Sequence, residues 1–155
     1  MQQHIDNKTY HVEILPPKQD TEDLDKSINL FRDKFNRVME SGYCACLTDN
    51  AMGNLAFQGH EMIQELELIP RKDLVMIHLN TFHTKKDLDW ILTSCLEMGI
   101  RQLLVISGDG SDRLPKLLPA ELGITGTEAV TSVELLKYIV REYPGDFNLG
   151  VAFNP

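Results

Sequence analysis

Five short apolar segments alternate with four amphipathic segments along the chain, and this alternation restricts the fold more than any other feature of the sequence. Short apolar runs are typical of strands that are buried on both faces. Strands that alternate with helices predict βαβ units and therefore a parallel sheet. The predicted strands cover residues 10–15, 43–48, 74–79, 102–107 and 147–153.

Each of the four predicted helices is identified by apolar residues that recur every three or four positions. In chain order these apolar faces are Leu24, Ile28, Phe31, Phe35 and Val38; Met62, Ile63, Leu66 and Ile69; Leu88, Ile91, Leu92, Cys95 and Leu96; and Val133, Leu136, Val140 and Tyr143. Asp20 is the expected N-cap of the first helix, and Gly42 its C′ residue. Thr84 together with Asp87 predicts a capping-box variant at the start of the third helix.

Composition and charge restrict the partners and the compartment. Hydrophobic residues make up 43% of the chain and charged residues 25%, which predicts one globular domain spanning residues 1–155. The net charge of −8 and the lack of a dense basic stretch argue against nucleic acid as a partner. We find neither a signal peptide nor an apolar run of membrane-spanning length, and the three cysteines lack disulfide-framework spacing. We therefore expect a cytoplasmic protein with no membrane partner.

Polar residues fall at or just beyond the carboxyl ends of the successive predicted strands. In a (β/α)₈ barrel those ends converge on one mouth, where active sites are built. In an open doubly wound sheet they need not converge, and a site would lie at a switch point in the strand order. The pattern favours a TIM-barrel type of fold, and the residues concerned are Glu13, Thr48, His78, Asp109 and Asn154.

Two carboxylates are the candidate catalytic residues. Glu13 interrupts an apolar strand end, and a carboxylate partly desolvated in a barrel mouth would suit general-acid chemistry. The alternative is that the first strand is an edge and Glu13 faces water. Asp109 lies between Gly108 and Gly110, where the backbone can approach a ligand closely; the alternative is an ordinary Gly-Asp-Gly turn.

A metal site is considered and disfavoured. Cys44 and Cys46 share a strand face and could join His78 around a metal ion. No second close-spaced pair of ligands completes such a set, so we expect no metal and treat the cysteines as small hydrophobic residues. A lone histidine at the position of His78 is most often structural.

The predicted loop over residues 108–126 is longer than an ordinary βα connection. Loops of this length in compact domains tend to be lids or binding loops. Its Leu114, Leu117 and Leu118 indicate that the loop packs against another part of the protein. The alternative is a surface Ω-loop in which these side chains pack against one another.

Five segments taken together resemble the methylenetetrahydrofolate reductase family. The first is Val-Glu-Ile-Leu-Pro-Pro-Lys at residues 12–18, followed by Leu-Thr-Asp-Asn at 47–50 and Ile-His-Leu at 77–79. The fourth runs from Gly-Ile to Gly-Asp over residues 99–109, and the last is Gly-Val-Ala-Phe-Asn-Pro at 150–155. They occur in the family's order and at roughly its spacing. The first and fourth are fairly specific in combination.

The resemblance implies a (β/α)₈ barrel that holds FAD at its mouth and passes hydride from NAD(P)H to methylenetetrahydrofolate, giving methyltetrahydrofolate. Glu13 matches the family's general acid, and Asp109 matches the aspartate beside the flavin. Thr48 and His78 match flavin-contacting positions. The further cofactor-binding positions implied are Ser107, Gly108, Thr131, Ser132 and Asn154.

Three positions depart from the family pattern. Ser107 replaces an arginine that could pair with the cofactor's phosphates, and Thr131-Ser132 stand where many members have Tyr-Ala. Asn154 precedes the final proline where many members have a tyrosine.

Length is the largest departure, because a (β/α)₈ barrel needs about 200 residues or more. We predict only about the first five strands and four helices, so the chain is expected to be the truncated N-terminal half of a barrel. Such a half-barrel exposes strand edges, which predicts a homo-oligomer or a partner chain that completes the barrel. The second hypothesis is a non-catalytic half-barrel module that partners a larger folate or corrinoid methyl-transfer enzyme.

Overall fold

The computed structural model describes residues 9–152, which form a five-stranded parallel sheet with four α-helices. The strands follow the chain order β1-β2-β3-β4-β5 across the sheet, and every neighbouring pair is parallel. Each strand lies within its predicted range. The strands are β1 His11–Ile14, β2 Cys44–Leu47, β3 Val75–Leu79, β4 Gln102–Val105 and β5 Asn148–Val151.

The four helices are α1 Leu24–Glu40, α2 Gly59–Glu65, α3 Lys85–Glu97 and α4 Ser132–Glu142. No helix in the described part of the chain is long and apolar enough to cross a membrane. Two of the expected helix ends are confirmed. Gly42 follows α1 with a positive φ of 69°, and the Thr84 hydroxyl oxygen accepts the Asp87 N–H at 3.1 Å at the start of α3.

The N-cap prediction for α1 is wrong by three residues. The cap is Asp23, whose carboxylate accepts the Lys26 N–H at 3.0 Å. Asp20 instead forms an exposed ion pair with Arg113 at 2.8 Å. Aspartate is a preferred N-cap residue, so the sequence allows either position. Only the aspartate next to the first turn of the helix can reach the free N–H groups of that turn.

The predicted apolar faces of α2 and α4 are partly wrong. The α2 helix ends at Glu65, so Ile69 lies beyond it and is 84% exposed. In α4 the buried residues are Leu135, Tyr138 and Ile139, whereas Val133 and Val140 are exposed. Two apolar stripes overlap on α4, and the stripe with the larger side chains faces the sheet because it removes more apolar area from water.

All the large apolar packing lies on one face of the sheet. The main core joins alternate strand residues such as Leu47, Ile77 and Leu103 to helix residues such as Phe35 and Leu92. On the opposite face the described residues form a small cluster of Cys44, Cys46 and Met76 with Leu104 against it.

Helices packed on a single face, together with a strand order that never reverses, match the first part of a (β/α)₈ barrel. A doubly wound sheet would need helices on both faces and a reversal of the strand order. Closure of the barrel is not present among residues 9–152.

The loop after β4 packs across the carboxyl edge of the sheet, as its leucines predict. Leu114 and Leu117 are buried, and Leu118 is exposed. The Leu117 N–H donates to the Thr81 carbonyl at 3.1 Å, and the Ser111 hydroxyl donates to the Gly53 carbonyl at 2.8 Å. The loop is therefore attached to the connections that follow β2 and β3.

Adjacent residues of α4 offer a test of which stripe is buried. Ile139 is fully buried and Val140 is 55% exposed. Ile139→Ala should lower the free energy of unfolding by about 2–5 kcal/mol, since it leaves a cavity in the core. Val140→Ala should change it by less than about 0.5 kcal/mol, since an exposed side chain leaves none. Urea denaturation of both variants measures this, and equal losses would contradict the assigned face.

Candidate active site at the carboxyl ends of the strands

Five of the predicted site residues line one cavity of about 200 Å³, which we call the mouth pocket: Glu13, Thr48, His78, Gly108 and Asp109. They come from β1, the end of β2, β3 and the loop after β4. Asp49 also lines it. The structure thus brings together residues that are up to 96 positions apart in sequence (13 to 109), because parallel strands end at the same edge.

The register of the sheet explains why Glu13 and His78 share this pocket. Glu13 pairs with Cys46, Cys46 pairs with Met76, and His78 lies two residues beyond Met76. Side chains alternate across a strand, so all of them project from the face opposite the helices. We call this surface the inner face of the sheet.

Glu13 was expected to be partly desolvated, but the described residues do not bury it. His78 and Thr48 are buried, but Glu13 is exposed at the end of a strand that has one paired edge within residues 9–152. Within the described residues, β1 is therefore an edge strand and Glu13 faces water, which was the alternative interpretation of this residue.

Gly108 requires glycine for two independent reasons. Its φ is +77°, a region that favours glycine, and a Cβ atom there would lie 2.6 Å from the Cβ of Asn80. The backbone of the Gly108-Asp109 turn is thus seated directly on β3's end. This close approach distinguishes the turn from an unconstrained Gly-Asp-Gly turn.

A second cavity of about 360 Å³, which we call the side cleft, adjoins the mouth pocket at Gly108. Ser107 and Thr131, both predicted site residues, line it together with Lys116. Ser132 lies beside Ser107, whose hydroxyl donates to the Ser132 oxygen at 3.3 Å. The predicted residue Asn154 lies outside the described residues.

The start of α4 closes one end of the side cleft. Thr131 is the N-cap, and the Glu134 carboxylate accepts its N–H at 3.2 Å and its hydroxyl. These hydrogen bonds from Thr131 hold the pKa of Glu134 below its usual range. The charged residues that line the cleft are Lys116 and Glu128.

A buried hydrogen-bond network behind the mouth pocket was missed by the sequence analysis. The Asp49 carboxylate contacts His83 at 2.7 Å and accepts the Asn80 N–H at 2.8 Å. The Asn80 side chain donates to the Asp49 carbonyl at 2.9 Å. The network joins the loops after β2 and β3, and the only sequence signal was a polar Asp-Asn pair next to a buried strand.

His60 lies near this network and is fully buried. Neither ring nitrogen has a hydrogen-bond partner among the described residues, and the ring meets Trp90 edge-on at 4.6 Å. Burial disfavours the charged imidazolium and, with a smaller contribution from His83, lowers the pKa of His60 to about 4.

The inner face also carries a thiol pair that the sequence analysis treated as apolar. Cys46 Sγ lies 3.6 Å from Nδ1 of His11, a residue that the sequence analysis did not single out. Hydrogen bonding between the two thiols lowers the pKa of Cys46, whereas the same contact together with burial raises the pKa of Cys44.

His60 predicts a pH dependence of stability. Between pH 6.5 and about 4 the unfolded chain binds a proton at this residue that the folded chain does not, so stability falls as the pH is lowered. From pH 7 to pH 5 the loss due to His60 is about 2 kcal/mol. Urea denaturation of the wild type and of His60→Leu at both pH values measures this. The difference in the free energy of unfolding between pH 7 and pH 5 should be smaller by that amount in the variant, because the contributions of other groups cancel between the two proteins. An unchanged difference would contradict the assignment.

Comparison with known proteins agrees with the resemblance drawn from the motifs. A search of curated proteins finds no match to the chain. The family model described as methylenetetrahydrofolate reductase matches residues 1–155, which is the whole chain. The one-face packing and the converging strand ends described above are those expected of a barrel of this kind. The chain belongs to the methylenetetrahydrofolate reductase family.

Proposed function

We propose that the protein is a flavin-dependent oxidoreductase of one-carbon metabolism, which reduces 5,10-methylenetetrahydrofolate to 5-methyltetrahydrofolate with NAD(P)H. The observation that carries this proposal is the mouth pocket. Glu13, Thr48, His78 and Asp109 line it together, in a chain whose whole length matches the family. The two implied catalytic residues and the two implied flavin-contacting residues thus share one cavity.

The lining of the two adjoining cavities fits FAD, the cofactor that the family resemblance implies. Thr48 and His78 would contact its ring system, and the hydroxyl groups of Ser107, Thr131 and Ser132 would hold its phosphates. Gly108 lines both cavities, and its backbone packs so closely on Asn80 that a side chain there would shift the wall they share. When bound, FAD supplies the hydride transfer between nicotinamide and folate.

Lys116 can supply the positive charge that the family's arginine would provide at the position of Ser107. It is the one positively charged residue among those that line the side cleft, and its ammonium group lies 5.6 Å above the Phe82 ring. A lysine that lines the same cleft as Ser107 and Thr131 can meet a diphosphate as a point charge, whereas an arginine would bind it bidentately. We therefore assign phosphate recognition to Lys116 together with the hydroxyl groups.

Glu13 and Asp109, which both line the mouth pocket, would act on the folate. Glu13 donates a proton to a nitrogen of the substrate's bridging ring, which opens that ring to an electrophilic iminium. Asp109, at the end of the glycine turn, orients the pterin. Because the described residues leave Glu13 exposed, the bound pterin or additional chain must exclude water from it.

A second candidate function is a partner module without its own turnover. The observation that favours it is the uncovered inner face, where His11 and Glu13 are exposed beside an edge strand. A partner chain, or a second copy of this chain, would then cover that face and complete the barrel. This module would form a stable complex and retain no flavin.

Flavin retention separates the two functions. After incubation with FAD and desalting, we expect about one flavin per chain by visible absorption. Gly108→Ala should abolish retention, because its Cβ would displace Asn80. Gly126→Ala is the matched control, since Gly126 has a similar φ of +82° with open space around it. A colourless wild-type protein would favour the partner module, and equal retention by both variants would contradict the role assigned to Gly108.

Glu13→Gln tests the proton donor. It should lower the rate of folate reduction by about 10²–10⁴-fold, the usual contribution of a general acid. Reduction of the bound flavin by NAD(P)H should stay near the wild-type rate, because that half-reaction needs no proton from Glu13. Stopped-flow absorption measures the two half-reactions separately. Glu22→Gln, which removes an exposed carboxylate outside the pocket, is the control, and equal loss of both half-reactions in Glu13→Gln would exclude the assigned role.

A further inference from the structure

The inner face carries a cluster of three soft ligand groups that the proposed reaction does not use. His11 on β1 lies opposite Cys44 on β2, and Cys46 is the next residue of β2 on the same face. One ring nitrogen of His11 and the two sulfur atoms all lie within 4.8 Å of one another. Both cysteines are buried, and His11 is exposed.

One of these separations matches a tetrahedral metal site. With Zn–S bonds of about 2.3 Å and Zn–N bonds of about 2.0–2.1 Å, a sulfur and a nitrogen on one zinc ion lie about 3.6 Å apart. Cys46 Sγ and His11 Nδ1 are 3.6 Å apart. The other two separations are at most 4.8 Å, about 1.2 Å or less above the tetrahedral values, and a change of thiol rotamer can shorten them.

A fourth candidate ligand projects from the neighbouring strand. His78 lies two residues beyond Met76, the register partner of Cys46, so its side chain projects from the same face of the sheet. His11, Cys46 and His78 line a common inner-face cavity of about 420 Å³, which gives a metal ion a path to the cluster. Two thiolates and two imidazoles are a donor set that selects zinc over magnesium or calcium.

We propose that His11, Cys44 and Cys46 bind a zinc ion on the inner face, with His78 completing a Cys₂His₂ set. Each cysteine binds the metal as a thiolate, and any proton that its thiol carries goes to solvent when the metal binds. The ion would connect β1, β2 and β3 from the face on which no helix of the described residues packs. From sequence alone a metal site is disfavoured because no second close-spaced ligand pair accompanies Cys44 and Cys46; parallel pairing of β1 with β2 supplies a histidine, His11.

The third cysteine provides an internal control. Cys95 is fully buried within α3, in the main core on the opposite face of the sheet, and burial raises the pKa of its thiol to about 12. Cys95→Ser therefore removes a buried thiol without touching the cluster. His11→Asn removes a ligand from an exposed position, so that it is expected to leave the core packing intact.

Metal content and cobalt spectroscopy test the proposal on the intact chain without reference to flavin or activity. Protein stripped with a chelator, loaded with zinc and desalted should retain about one zinc per chain. With cobalt(II) it should show a thiolate-to-metal charge-transfer band and the intense d–d bands of tetrahedral coordination. The cobalt measurement needs no substitution, so it stands even if a cysteine variant fails to fold.

The variants must then separate the cluster from any other metal-binding group. Cys44→Ser, Cys46→Ser and His11→Asn should each lose the retained zinc, with folding checked by circular dichroism, while Cys95→Ser keeps it. Absence of retained zinc, a cobalt spectrum without the charge-transfer band, or equal retention in His11→Asn would each overturn the proposal. A disulfide between Cys44 and Cys46 in the purified protein, seen by mass spectrometry, would also overturn it.

Discussion

The in-register pairing of parallel strands determines which side chains can meet in this molecule. Because the side-chain period of a strand is two, the residues that project with Glu13 and Cys46 are set once β1 pairs with β2. The same register directs Leu47 and Ile77 toward the helices. A slip of one residue would exchange the two faces, burying the polar inner-face residues under helices and exposing the core. The core and the mouth pocket therefore depend on one register.

The buried pair of Asp49 and His83 fixes the loops that shape the mouth pocket. Burying a carboxylate is costly unless it accepts hydrogen bonds, and here His83 and the Asn80 N–H both contact its Oδ2 atom, while Oδ1 has no partner among the described residues. Asn80 in turn supports the backbone of Gly108, where a Cβ would clash with it. The polar contacts thus run from the end of β2, through the loop after β3, to the glycine turn. Removing one partner would leave a buried charge unpaired and loosen that turn.

Much of the fold could be predicted from sequence, because strands and helices leave periodic patterns that need no knowledge of neighbours. All five strands lie within their predicted ranges, and the predicted residues at the ends of the first four strands share a pocket because parallel strands end together. The buried face of α4 was predicted wrongly, since its two apolar stripes overlap and both fit the helical period. The contacts of Asp49 with His83 and of His11 with Cys46 depend on which segments become neighbours, and local pattern does not encode that.

The proposed metal site and the proposed proton donor occupy consecutive inward positions of the same short strand. His11 and Glu13 both project from β1, which pairs on one side only within residues 9–152. A four-residue edge strand held by a single ladder can fray, and fraying would move Glu13 away from Thr48 and His78. A zinc ion with two thiolates and two neutral imidazoles carries no net charge, so it would act on Glu13 through position rather than through its field. Holding β1 against β2 and β3 at His11 would therefore fix the carboxylate two residues further along, at the mouth.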